Sequence, residues 1–236
     1  MNLQRYARIT KSGIPREIII LKAFPCKWGK CSFCDYIHDN SIDAAEIDLV
    51  NAAAIQNVVG DLNNLQVINS GSCFEIPPGS MQKLKKKVAE KGIARLIFES
   101  HWMYRHRLDE IREFFKIPVM FITGIETFDD EFRNLVLKKA ITFSSVSEVA
   151  AIFDSVCLMV GMQGQTREMI KKDIDIVMQN FKHATINLYN DNSTRIRADH
   201  ELQAWFRKEY AWLAHEKKVD VLFEITDFGV GTILND

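Results

Sequence analysis

An α/β fold with parallel strands is what this chain predicts, on two observations. Apolar runs rich in Ile, Val and Leu alternate with helical patterns along the 236 residues, and no long linker or low-complexity segment interrupts the alternation. Near-continuous apolar strands are what a sheet covered on both faces requires. One domain over 1–236 is the expectation, with a core of about 17–190 and a divergent helix and strand over 191–236.

The elements follow in order. Strands are predicted over Glu17–Phe24, Leu65–Ser70, Ala94–Glu99, Pro118–Thr123, Ser155–Val160, Thr185–Tyr189 and Val219–Ile225. Between them lie helices over Ala44–Leu62, Gly79–Lys91, Arg107–Phe115, Asp129–Lys138, Thr166–Phe181 and His200–Lys217, with a short extra one over Ser145–Phe153. Asp129 before Glu131, and Thr166 before Glu168, place caps and first-turn carboxylates where the helix dipole favours them. Right-handed repetition of this kind gives either a doubly wound sheet or a barrel, and in a barrel the chemistry sits on loops after the strands' C-terminal ends.

Thirty basic residues stand against thirty-one acidic ones. A protein gripping nucleic acid usually carries a basic excess, so the balance favours a small-molecule substrate; Lys83–Lys87 reads as a solvated helix face. The N-terminal stretch shows no apolar h-region and no run suits a membrane span, so a cytoplasmic protein is expected. Five cysteines do not form a disulfide framework, and Cys73 and Cys157, in apolar surroundings, read as buried thiols.

The remaining three, Cys26, Cys31 and Cys34, fall within nine residues (CKWGKCSFC) directly after the first strand. Three thiolates on a 4Fe-4S cluster leave one iron for a small molecule to chelate. The competing reading is structural zinc, with His38 completing a Cys3His shell. A zinc knuckle, however, predicts nothing about the loops after later strands.

Those loops carry further motifs. Asn69–Glu75 (NSGSCFE) places Gly71 in a strand-to-helix turn, where backbone can approach a ligand; a structural turn looks the same. Glu126, in Gly124–Thr127 (GIET), can accept hydrogen bonds from ribose hydroxyls or cap the following helix. Val160, just before the turn Gly161–Gly164, and Met162, within it, suit flanking an adenine, the two glycines permitting the turn, although Gly-x-x-Gly is a common turn.

The cysteine spacing, the aromatic Phe33 before the last cysteine and these motifs in this order resemble the radical S-adenosylmethionine (SAM) superfamily, whose commonest loop has one residue fewer between the first two cysteines. The resemblance implies a partial (β/α)6 TIM-like barrel of the radical SAM type with an extra C-terminal strand. It also implies a 4Fe-4S cluster on Cys26, Cys31 and Cys34, and SAM cleaved to a 5′-deoxyadenosyl radical. In it Phe33 and Tyr36 line the adenine, by side chain and backbone respectively. Ser70, Gly71 and Ser72 meet the methionyl amino group, Glu126 the ribose, and Val160 and Met162 the adenine. An electron donor such as flavodoxin or ferredoxin is implied as partner.

The Cys-x-Trp pattern, Tyr36, Glu99-Ser100 and Lys139–Phe143 (KAITF) are similar to the radical SAM subunit of archaeosine synthase and its relatives, with His101 where an Arg is usual. Those relatives work on a 7-deazaguanine base, which implies a lyase cutting a carbon-nitrogen bond of a free base, or a tRNA base-modifying enzyme. A guanine-like edge is read by one carboxylate accepting two N–H groups, and Glu99, Glu224 and Asp227 are the candidates. Asp227 is favoured because glycines follow it, against the alternative of an ordinary Asp turn. Asn187 and Asn190 suit diol hydroxyls, although Asn190–Ser193 also reads as a plain loop. Trp28 and Trp102 suit stacking on a base or simple packing.

Overall fold

The computed structural model describes residues 3–224, 227 and 229. They form two compact units: one holds the described residues up to Gly29, those from Tyr36 to Phe121, and Gly229; the other holds 30–35 and the described residues from Ile122 to Asp227.

In the first unit β1 (Tyr6–Ile9) runs antiparallel to β2 (Arg16–Leu21), which is parallel to β3 (Asn64–Asn69), itself parallel to β4 (Arg95–Glu99). Alternation sorts the side chains. Ile19, Leu21, Leu65, Val67, Leu96 and Phe98 share one buried face, in register across the three parallel strands. The other face carries Arg16 and Gln66, joined by a 2.6 Å hydrogen bond from Nε to Oε1. Glu17 is buried without a cation because the amides of Val59 and Gly60 and the Tyr6 hydroxyl donate to its carboxylate. Helices α1 (Ala44–Gln56) and α2 (Pro78–Lys91) follow β2 and β3, and α3 (Leu108–Phe115) follows β4. Asp43 caps α1 by accepting from Ala45 and Glu46, and Gly92, at φ 63°, ends α2.

The second unit begins inside β5 (Val119–Glu126) and continues with α4 (Val146–Ile152), β6 (Ser155–Val160), α5 (Arg167–Asn180), β7 (His183–Leu188), α6 (His200–Glu209) and β8 (Val219–Leu222). Strands β5 to β8 pair in parallel, in sequence order. Val156, Leu158, Val160, Ala184, Ile186 and Leu188 are buried on one face. The opposite face is polar: Ser155 Oγ lies 2.8 Å from His183 Nδ1, and His183 Nε2 lies 3.2 Å from Asp220 Oδ2, with Cys157, Thr185 and Asn187 further along. Thr166 caps α5 by accepting from Met169, as its position in the sequence suggests.

Several bounds differ from expectation. Strand β1 was not expected, because its four residues, YARI, carry too few apolar positions to stand out. Residues expected to be helical over Asp129–Lys138 contain a π-helix at Phe132–Val136 instead, opened by Asp129, whose Oδ1 accepts from Phe132 N at 2.8 Å. The helix expected over His200–Lys217 stops at Glu209 and continues as a 3-10 turn over Ala211–His215. Strand β5 runs three residues further than expected, through Gly124, Ile125 and Glu126. Strand β8 starts at Val219 as expected; the end assigned to it, Ile225, lies outside the described residues. Among the described residues no helix is long and apolar enough to cross a membrane.

Candidate functional site

In the first unit the loop after β2 is held by the turn after β3. Glu75 clamps it from both ends: its carbonyl accepts from Phe24 N at 3.0 Å and its Oε1 from Lys27 N at 3.3 Å. Tyr104 donates its hydroxyl to the same oxygen at 2.6 Å, and burial, aided by that bond, pushes the phenol above its ordinary range. Between these anchors sits Cys26, and a methyl placed on Gly71 would lie 3.2 Å from its Cβ, so only glycine fits there without displacing the cysteine. The hydroxyl of Ser70 meets Oδ1 of Asn40. Ser72 is fully buried, and its hydroxyl accepts from His101 N at 2.8 Å, so that hydroxyl is committed to the turn.

An open cavity of about 580 Å³ lies here, lined by Pro25, Cys26, Gly29, Ile37, Asn40, Ser41 and Ile42. Its size suits a small molecule. Trp28 stacks on His101 at 5.9 Å between centroids, whereas Trp102 is buried under Arg105, the packing alternative. Glu99 is half-buried at the end of β4; Tyr36 opens a 3-10 turn with its side chain exposed, and His38 in that turn is exposed too.

In the second unit Cys31 and Cys34 pack against a buried cluster of Phe33, Phe132, Leu137, Met162, Tyr189 and Ala198. The amide of Cys34 donates to Cys31 O at 3.3 Å, which folds the two cysteines into one turn. The loop is pinned from two sides: Ser32 donates to Leu137 O and Val136 O at 3.1 and 2.6 Å, and Asn192 Nδ2 donates to Phe33 O at 2.7 Å. Met162 is fully buried within a turn whose glycines, Gly161 and Gly164, have φ of 82° and 93°. Gln165 closes that turn, taking the Met162 amide at 3.0 Å and donating to Met159 O at 2.8 Å. Val160, at the end of β6, is buried and accepts from Tyr189 N.

Glu126 ends β5 at φ 66°, just after the register shift that begins at Gly124. It does not cap the next segment, since Asp129 does. Its Oε1 instead meets Lys139 Nζ at 2.9 Å, and its Oε2 is buried with no hydrogen-bond partner. Burial opposes the charge on Lys139, but Glu126, together with Cys31 and Cys157, outweighs it and raises the ammonium above its ordinary range. Behind Glu126, Phe128 N donates to Asp173 Oδ1 at 2.7 Å and Arg133 Nη1 to Thr127 O at 3.0 Å.

Asn187 donates to Cys157 Sγ at 3.1 Å while its Oδ1 stays buried and unpartnered; Cys73 is buried as expected, whereas Cys157 is half-buried. Asn190 is exposed and bonds locally to Leu188 O. Glu224 is exposed and pairs with Arg207 at 2.9 Å. Asp227 is exposed, and its Oδ2 accepts from Glu224 N at 2.9 Å in an Asp turn.

Glu75 and Lys139 stand inside motifs read above but were given no role there, because each acts through a partner more than ten residues away; Tyr104, bonded to Glu75, and Gln165, which closes its own turn, were not singled out. Among the described residues no three His, Cys, Asp or Glu side chains form a metal-holding group. None of the three loop cysteines is in a disulfide: in the first unit Gly71 lets the backbone approach Cys26 closely, and in the second the thiols of Cys31 and Cys34 suit a thiolate-held cluster while the orphaned Glu126 Oε2 suits a hydrogen-bond donor of an organic ligand.

No family model matches the sequence. An uncharacterized protein of Methanocaldococcus jannaschii is 29% identical over 141 residues, 52% of this chain, and the match spans 39% of that relative's length. Streptococcus suis SuiB bound to S-adenosylmethionine shares the fold, with a TM-score of 0.52 at 14% identity over 86% of this chain and 46% of that one. A queuine lyase from Clostridium spiroforme, solved with SAM and queuine bound, is 48% identical, with a TM-score of 0.95 over 98% of this chain and 100% of that one. With that identity along its whole length, in an α/β partial barrel of the radical SAM type, the chain belongs to the queuine lyase family of radical SAM enzymes.

Proposed function

We propose that the protein binds SAM and a 4Fe-4S cluster and cleaves the carbon-nitrogen bond of free queuine, releasing 7-aminomethyl-7-deazaguanine. The observation that carries this is the full-length likeness to an enzyme holding SAM and queuine, joined to three cysteines at radical SAM spacing, none of them in a disulfide. A net charge of −1 fits a free base better than a tRNA substrate. We treat 1–236 as one functional domain working in the cytoplasm in queuine salvage, with flavodoxin or ferredoxin as reductant.

Cys26, Cys31 and Cys34 would hold the cluster, which with SAM supplies a 5′-deoxyadenosyl radical for hydrogen abstraction. The chain's own work is binding and exclusion of water. Phe33, Val160 and Met162 present buried apolar surface to an adenine, and the backbone at Tyr36 adds hydrogen bonds. Glu126 offers its unpartnered Oε2 to a ribose hydroxyl. Since the Ser72 hydroxyl accepts from His101 N and its carbonyl from Asn69 Nδ2 and Glu75 N, the turn Ser70–Ser72 meets an amino group through the carbonyls of Ser70 and Gly71. Asp227 accepts from the base's N–H pair, with Glu99 and Glu224 as the other carboxylates available. Asn187, whose Oδ1 has no partner, and Asn190 take the diol.

The test is anaerobic reconstitution with iron and sulfide, then reductant, SAM and queuine, following 5′-deoxyadenosine and 7-aminomethyl-7-deazaguanine by mass spectrometry. Both products are expected to rise together. Deoxyadenosine alone would refute queuine as substrate, and neither product from a cluster-loaded protein would refute the enzyme reading.

A further inference from the structure

We propose that Lys139 is a positioning residue for the cofactor site: its ammonium holds one oxygen of Glu126 so that the other stays aimed at the incoming ribose. This rests on the reading of Glu126 as the ribose acceptor.

Both partners are buried, Lys139 at 7% exposure and Glu126 at 5%, with Nζ 2.9 Å from Oε1. A buried ion pair recovers little net stability after desolvation, and apolar residues of similar volume usually serve as well. This one is also half-satisfied, because Oε2 of Glu126 is buried without a partner. The backbone adds a second cost: Glu126, Lys138 and Ala140 all have positive φ, at 66°, 54° and 49°. Non-glycine residues held there persist where the surroundings enforce them, commonly at ligand sites. Three unfavourable features meet on one carboxylate, and a donor arriving at Oε2 would relieve the unmet hydrogen bond.

The mount of Lys139 explains how the aim is kept. Its amide donates to Arg133 O at 3.1 Å, and Nζ sits 5.6 Å from the centre of the Phe33 ring. Two residues upstream, Leu137 O accepts from Ser32, between Cys31 and Cys34. The ammonium is therefore registered both to the cysteine turn and to Glu126. Pinning Oε1 removes rotation of the carboxylate, which an isolated Glu would lose only on binding.

The experiment is equilibrium binding of SAM to the anaerobically reconstituted protein, by calorimetry, on wild type, Lys139→Met, Lys139→Arg, Glu126→Gln and the double variant K139M/E126Q. K139M should weaken SAM binding about tenfold or more, and K139R should restore most of it. The double variant, which leaves neither charge buried alone, should bind no more than about twofold weaker than E126Q. Wild-type affinity in K139M, or a double variant whose loss is the product of the two single losses, would overturn the inference. Should K139M fail to fold, the comparison of E126Q with the double variant decides by itself. A cluster-loaded wild type that binds no SAM would overturn the functional reading and this inference together, whereas binding indifferent to Lys139 would overturn this inference alone.

Discussion

Asp173 supplies a test of how the strand end carrying Glu126 is held. It lies on α5, 3% exposed, and accepts from Phe128 N at 2.7 Å, two residues beyond Glu126. Burial is the main cause that raises its carboxyl from 3.8 to about 7, against hydrogen bonds from Thr127 and Phe128 that pull it down. A carboxyl raised in the folded state binds its proton more tightly there than in the unfolded chain. Its contribution to stability is thus complete below pH 4, and it is lost as pH rises towards 7. At about 1.4 kcal/mol per pH unit, the loss between the two values comes to about 4 kcal/mol. Asp173→Asn keeps an acceptor for the Phe128 amide and cannot titrate. The assay is urea unfolding of both proteins, anaerobic and without cluster, at half-unit steps from pH 4 to 8. The variant's stability relative to wild type should rise by about 4 kcal/mol across that range and then level off above pH 7. A difference that stays constant with pH would show that Asp173 ionises in the folded protein as it does in the unfolded one, and the reasoning would fail.

Replacing Cys26, Cys31 or Cys34 singly by Ala should abolish SAM cleavage, read as 5′-deoxyadenosine formed; activity surviving in all three would refute the cluster assignment. Gly124→Ala puts a methyl against Glu126 Oε1 and 3.1 Å from Lys139 Nζ, so SAM affinity should fall about tenfold, and crowding of the buried pair should lower the unfolding midpoint as well. An unchanged affinity would mean that the carboxylate moves freely. Asp227→Asn should weaken queuine binding by about tenfold and leave uncoupled SAM cleavage largely intact, since one bidentate acceptor is lost; equal queuine affinity would reject that role. Glu75→Gln keeps the shape of the clamp but removes its charge, leaving weaker bonds to Lys27 N and Tyr104. Cluster loading, measured as iron and sulfide per chain, should drop, and full loading would show that the clamp is dispensable.

What the sequence determined alone is what depends on neighbours along the chain. Strand and helix order followed from hydrophobic period, which is set by backbone geometry over a few residues. The short spacing of Cys26, Cys31 and Cys34 and the glycines at 161 and 164 were legible for the same reason, and so was the Thr166 cap. Where a local rule admitted two outcomes, only the fold chose between them. Nothing near Glu126 says whether it caps the next segment or turns inward; Lys139, thirteen residues on, decides by neutralising it in a dry site. The tertiary structure likewise placed Glu75 between Lys27 and Tyr104, committed the Ser72 hydroxyl to His101, and replaced an expected helix by a π turn that positions Leu137 over Ser32. Those choices rest on burial, which makes each polar group find a partner wherever the packed chain offers one, and sequence distance does not enter that balance.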